Sequence, residues 1–152
     1  MANKEPFFRE FEVEWADVDP NQHARNTTYV DYGTHVRLGY LRQMGFPPNR
    51  MLELGFGPIA TREEIQYLRE VRLGDKVKVD FLVSGLSEDG ARWRIVHNIF
   101  RSDSKSCAAR IIVEGGWIKL STRKLHSPPE ELAKAIAALA HTDNYQVLPN
   151  LK

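Results

Sequence analysis

The side chains best equipped for chemistry lie together between Trp15 and Tyr29, where Asp17, Asp19 and His23 run up to a predicted helix start at Asn26 or Thr27. Such a set has more than one use. Asp17, Asp19 and Asn21 match the opening of a calcium-binding EF-hand loop. Gln22, however, stands where that loop needs a sharply turning Gly, and Thr28 where it needs a bidentate Glu. A transition-metal site built on Asp17, Asp19 and His23 lacks further clustered His or Cys. The aspartates can also serve only the loop, as turn residues bonding to their own backbone, with His23 at the surface. A hydrolytic use needs a carboxylate facing a helix N-terminus. Breaking a thioester, for instance, places negative charge on the carbonyl oxygen, which free backbone N–H groups at a helix start can hold. A nearby carboxylate can attack the carbonyl or deprotonate a water. Asp19 precedes Asn26 by a stretch short enough for a tight loop to turn it back over the helix start.

The elements that must position these residues follow from hydrophobic spacing. Phe7–Trp15 alternates as a strand with one charged face, and Asp17–Arg25 reads as a loop. A helix over about 27–44 is predicted from Tyr29, Gly33, Val36, Tyr40 and Met44, beside a row of Val30, Arg37 and Leu41. Asn26 or Thr27 caps it, Asp31 sits in its first turn, and Gly45 with Pro47 and Pro48 stops it. Gly33 and Gly39 inside it each cost up to about 1 kcal/mol relative to Ala, which predicts another backbone packed very close.

One strand with a bend is predicted over 58–61 and 63–71, then strands over 75–86, 91–101 and 107–120, joined by short polar turns. Such turns demand an antiparallel meander. Ser127–Glu130 has the form of a capping box with Pro128 at the first helical position. A short helix over about 128–140 follows, burying Leu132, Ile136, Leu139 and Ala140, and the remaining residues read as a tail. The expectation is an α+β domain spanning 1–152, with a core of about 7–125. An antiparallel sheet of about five to six strands wraps a long central helix, and a short C-terminal helix follows.

The pattern Asp17-x-Asp19-Pro20-x-x-His23-x-x-Asn26-x-x-Tyr29-x-x-Tyr32, after a charged first strand, resembles the 4-hydroxybenzoyl-CoA thioesterase-type branch of the hot-dog superfamily. A second match is Ile65-x-Tyr67-Leu68-Arg69-x-x-x-x-Gly74-Asp75. The resemblance covers roughly residues 7–125. It implies a single hot-dog domain that hydrolyses acyl-CoA, with Asp19 as nucleophile or general base. It further implies an oxyanion site at the Asn26 backbone N–H, His23 near the thioester, Asp17 orienting the loop and Tyr29 packing beneath the site. Many relatives carry Gly before the His and Val-Asn-Asn after it, where this chain has Gln22 and Ala24-Arg25-Asn26. The resemblance also implies a homodimer or homotetramer with sites at the subunit interface. Coenzyme A is then part of the substrate and no separate cofactor is expected. An acyl-CoA hydratase on the same fold is the alternative, for which the spacing Asp17–His23 carries one residue too many. A non-catalytic acyl-CoA-binding module is another.

Composition narrows the partners. The 152 residues suffice for one domain with a real core, and 42% hydrophobic with 27% charged residues is ordinary globular usage. A net charge of +1 offers no general basic surface for nucleic acid or membrane, so any phosphate site must be local. Arg62, Arg69, Arg92, Arg94, Arg123 and Lys124 are candidates. Arg92, at a strand start, and Arg123 with Lys124, just after the last long strand, are preferred for the phosphates of CoA. The single cysteine, Cys107, rules out an internal disulfide framework, lacks an activating context and fits a reducing cytoplasm. His35, His97, His126 and His141 are expected to be structural or superficial. Met1–Arg9 lacks the apolar run of a signal peptide, and no stretch approaches a membrane span.

Overall fold

The computed structural model describes residues 4–151; residues 1–3 and 152, at the ends of the stretch read as one domain, lie outside the described residues. Alternate positions are buried in three long strands: Val77, Val79, Phe81 and Val83 in β3 (Lys76–Ser87), Trp93, Ile95, His97 and Ile99 in β4 (Arg92–Arg101), and Ile111, Val113 and Trp117 in β5 (Cys107–Lys119). A period of two puts each set on one face of the sheet. That face closes on α1 (Asn26–Gln43), which buries Tyr29, Tyr32, Val36, Tyr40 and Leu41. β1 (Phe7–Glu12) and β2 (Phe56–Tyr67) complete an antiparallel path in the order β1-β3-β4-β5-β2. The short β6 (Lys124–Leu125) pairs with β5, and β7 (His141–Leu148) lies parallel to β3. A curled sheet around a long helix is the hot-dog arrangement that the sequence leads one to expect.

Several local expectations are corrected. The predicted tail is β7, a seventh strand whose Gln146, Val147 and Leu148 pair with Gly85, Leu86 and Ser87. The stop after α1 is followed at once by α2 (Pro48–Leu54), with Pro47 as its cap and Gly55, at φ 75°, ending it. α1 begins at Asn26 with Arg25 as its cap, so Asp31 lies beyond its first turn. α3 (Glu130–Ala137) starts later than the proposed capping box, because Pro129 excludes helical geometry at the residue before it. β1 ends before Trp15, which sits in a single 3-10 turn (Trp15–Asp17) and is 80% exposed. The expected bend falls inside β2, where the pairing with β5 shifts between Ala60 and Arg62.

The helix glycines also differ from expectation. A Cβ at Gly33 would meet the His97 ring at 3.1 Å, and one at Gly39 the Arg9 side chain at 3.0 Å, so side chains and not backbone fill these positions. β2 forms the sheet edge opposite β1 and is exposed along nearly all of its length. No helix among the described residues is long and apolar enough to cross a membrane.

Candidate active site

Beyond the 3-10 turn, the chain doubles back in a loop closed by a bridge between Val18 and Ala24. The Asp19 N–H donates to the His23 carbonyl at 3.0 Å and the Gln22 N–H to the Asp19 carbonyl at 2.9 Å. This tight turn holds Gln22 at φ 66°, in the left-handed region. The Asp19 carboxylate accepts the Asn21 N–H at 2.9 Å through Oδ1, and its Oδ2 lies 3.3 Å from His23 Nδ1. Both side chains remain open to solvent, at 24% for Asp19 and 30% for His23. The far side of the loop is tied to the segment after β2: His23 bridges Arg72, and the Ala24 N–H donates to the Val71 carbonyl at 2.7 Å.

Asp17 is fastened from every side. Its carboxylate accepts the Glu14 N–H at 2.8 Å and the Tyr32 hydroxyl at 3.3 Å. Its carbonyl accepts the Arg25 N–H at 2.8 Å and the Thr28 hydroxyl at 3.0 Å. Burial, reinforced by the Asp17 charge, pushes the Tyr32 phenol well above its ordinary value, which keeps that donor protonated. Asp17 thereby ties the loop to α1.

The helix start itself is left open. The side chain of Arg25 makes no cap; its Nε donates to Thr27 Oγ1 at 2.9 Å and its guanidinium to the Ala16 carbonyl at 2.5 Å. The Thr28 N–H returns to the Arg25 carbonyl at 3.0 Å. The backbone N–H groups of Asn26 and Thr27 meet no acceptor among the described residues. Two free donors thus stand at this corner, the positive end of an eighteen-residue helix, where negative charge is favoured.

Asp19, His23, Asn26, Tyr29, Tyr67 and Arg69 line one cleft of 460 Å³ over this corner. Tyr29 is buried, as expected of a packing residue, yet its ring meets Tyr67 edge-on at 5.4 Å on the cleft floor. The Tyr67 hydroxyl donates to the Asn26 carbonyl at 3.2 Å. Burial first, then the neighbouring Tyr67 and Asp19, raise the Tyr29 phenol. Asp19 also borders a second cleft, lined by the exposed Trp15 with Gln22, Arg72 and Leu73.

The structure thus brings Asp19, His23 and Asn26 together. The preferred phosphate-binding cations lie elsewhere in the subunit. Arg92 lines a separate cleft with Arg94 and Glu114, and Arg123 and Lys124 sit at the β5–β6 turn. The cations that border Asp19 are Arg69 and Arg72. Arg69 and its neighbour Tyr67 were marked in sequence by the Ile65–Asp75 match; nothing marked Arg72 or Trp15. His35, His126 and His141 are exposed and His97 is buried. Burial raises the Cys107 thiol, which agrees with an unreactive role.

A family model described as the thioesterase-like superfamily matches residues 13–136. No curated protein sequence matches the chain significantly. Among solved structures, a 1,4-dihydroxy-2-naphthoyl-CoA thioesterase from Synechocystis is similar at TM-score 0.79 and 19% identity, covering 91% of this chain and 100% of that one. A Staphylococcus aureus protein solved in complex with CoA gives TM-score 0.81 and 21% identity, over 100% of this chain and 91% of that one. A DHNA-CoA thioesterase from Staphylococcus aureus gives 0.76 and 22%, over 86% and 87%. At these identities the structural likeness establishes the shared fold.

Proposed function

We propose, from the premise that this chain belongs to the thioesterase-like superfamily and is a thioester hydrolase, that it cleaves acyl-CoA to a free carboxylic acid and CoA in the cleft between Asp19 and the start of α1. The observation that carries this reading is the pair of unpartnered N–H groups at Asn26 and Thr27, beside a half-open carboxylate. In the proposed reaction the thioester carbonyl oxygen takes hydrogen bonds from these donors, whose orientation is fixed before substrate arrives. Asp19 then acts in one of two ways. As nucleophile, its oxygen bonds to the carbonyl carbon, the C–S bond breaks, CoA leaves as thiolate, and water hydrolyses the resulting anhydride. As general base, it takes a proton from the water that attacks. His23, 3.3 Å from Asp19 Oδ2, orients the carboxylate and faces the thioester.

CoA phosphates are proposed to meet Arg69 and Arg72 at the cleft mouths, with Arg92, Arg123 and Lys124 serving from a second subunit. The exposed edge of β2 supports a homodimer or homotetramer, because a long unpaired edge strand invites pairing. A cytoplasmic setting, where acyl-CoA would be the substrate pool, belongs to the same proposal.

Thiol release measured across short, medium, long and aromatic acyl-CoAs, with Asp19→Ala and Asp19→Asn beside the wild type, tests the assignment. Near-complete loss of turnover is expected in both variants, and normal turnover in both would overturn it. Hydration of an enoyl-CoA without thiol release would instead favour the hydratase. Label in the Asp19 carboxylate after a single turnover in ¹⁸O-water would establish the nucleophilic route, because only an Asp19 anhydride attacked by water at the aspartyl carbon acquires it.

A further inference from the structure

One stripe of α1 continues past the reaction corner. Asn26, Val30, Gly33, Arg37 and Leu41 recur at helical spacing and share one face. This face leads into a second cavity of 190 Å³, walled by Leu38, Leu41, Phe81, Trp93, Ile95 and Trp117 among others. Among the described residues, Arg37 is the one charged side chain lining it. Its guanidinium is held at two points: one N–H donates to His97 Nε2 at 3.1 Å and another to Thr34 Oγ1 at 3.1 Å.

His97 is itself fixed. It is fully buried, and its Nδ1–H donates to the Asp80 carbonyl at 2.6 Å, which leaves Nε2 as the acceptor. Burial and the Arg37 charge hold its pKa down at about 3, so it stays neutral and cannot compensate the guanidinium. No carboxylate among the described residues forms an ion pair with Arg37; Glu63 of β2 acts on it only through space. Of the five N–H donors of a guanidinium, the remainder meet no acceptor among the described residues. Trp93, on the same cavity wall, has a buried indole N–H without a partner. A partly desolvated cation in an apolar cavity, with spare donors beside it, calls for an anion.

We propose that Arg37 is a specificity-determining residue that selects acyl groups carrying a carboxylate at the end remote from the thioester. This rests on the reading that the thioester binds at Asn26. Through Thr34 the guanidinium lies about 12 Å along the helix from that point, at the usual rise per residue. In this pose the acyl body runs along α1 from the cleft at Asn26 to the cavity at Arg37, past the half-buried Val30. The distal carboxylate then takes two parallel N–H bonds from the guanidinium, geometry that Arg offers and Lys does not.

The test uses pairs of acyl-CoAs of equal length ending in carboxylate or methyl, assayed by thiol release. The matching CoA thioethers, which cannot be hydrolysed, are assayed by calorimetric binding. The wild type should favour the carboxylate by about 10- to 100-fold at the best length, as expected for a charge-assisted bond. Arg37→Gln should abolish that preference, mainly through KM, and Arg37→Lys should restore part of it. Asp19→Asn should keep the binding preference while losing turnover. Equal or better binding and turnover of the methyl-ended series by wild type would overturn the proposal and leave thioester hydrolysis standing. So would an Arg37→Gln variant with unchanged selectivity but altered sedimentation, which would assign Arg37 to a contact with a second copy. A carboxylate preference in binding with no hydrolysis of any thioester would uphold the distal site and remove the hydrolytic reading.

Discussion

Asp17 spends its carboxylate on the Glu14 N–H and the Tyr32 hydroxyl, whereas that of Asp19 borders the open cleft with only Asn21 and His23 beside it. Substitutions should therefore separate the two. Asp19→Asn keeps shape and the Asn21 hydrogen bond, so its melting temperature should stay near wild type while kcat falls about 100- to 10,000-fold, the range for losing a positioned acid–base group. Asp17→Ala leaves a buried hydroxyl and a backbone donor without acceptors, and should cost about 1–3 kcal/mol of stability. Melting curves and steady-state kinetics on both variants check this; a reversed pattern would exchange the two roles. Asp19, His23 and Asn26 were legible in sequence because the chain brings them together within a single loop. Tyr67 and Arg69, marked by the Ile65–Asp75 match, reach the same cleft from the end of β2 and the connection after it, and the unmarked Arg72 borders the second cleft at Asp19 from farther along that connection. A strand-end cation such as Arg92 reads alike in sequence whichever rim of the sheet it occupies.

Within α1 the two interior glycines answer to different neighbours. At Gly39 the obstacle to a Cβ is the far end of the exposed Arg9 side chain, which can swing away. Gly39→Ala should thus recover most of the helix-propensity gain, up to about 1 kcal/mol. At Gly33 the obstacle is His97, pinned by Asp80 and Arg37. Gly33→Ala should show no such gain, and Gly33→Val should lose about 1–3 kcal/mol to overpacking. Urea titrations of the three variants check the ordering, which inverts if His97 is free to move. Elements with strong periodicity, α1 and the three long strands, were legible in sequence. Those set by competing local rules were not. The Pro128-Pro129 pair delays α3, Pro47-Pro48 opens α2 where a stop was expected, and β7 has too few buried positions to announce itself as a strand.

At the scale of the whole molecule, His97 couples stability to pH. Its pKa is about 3 in the folded chain and 6.5 when unperturbed, so between these values the unfolded state binds the extra proton. Stability from this group is complete above about pH 6.5 and is lost as pH falls toward 3. Asp80, whose carboxyl burial raises, contributes in the opposite sense: its share is full at low pH and is lost as pH rises through its folded value. The difference between wild type and His97→Gln isolates the histidine. Wild type should lose melting temperature more steeply from pH 7 to pH 5, and parallel curves would show that His97 is accessible to protons.

The β2 edge makes a second demand on the molecule as a whole. In an isolated subunit, alternate amides of this twelve-residue strand point away from β5 into solvent and should exchange their hydrogens about as fast as loop amides. If a second copy pairs along the edge, as an unprotected strand of this length invites, both sets of amides should be protected and the protein should sediment as a dimer or larger. Fast exchange along the outer edge together with a monomeric sedimentation coefficient at micromolar concentration would overturn the interface. It would also confine the phosphate contacts to Arg69 and Arg72, because Arg92, Arg123 and Lys124 line neither cleft at Asp19 within one subunit.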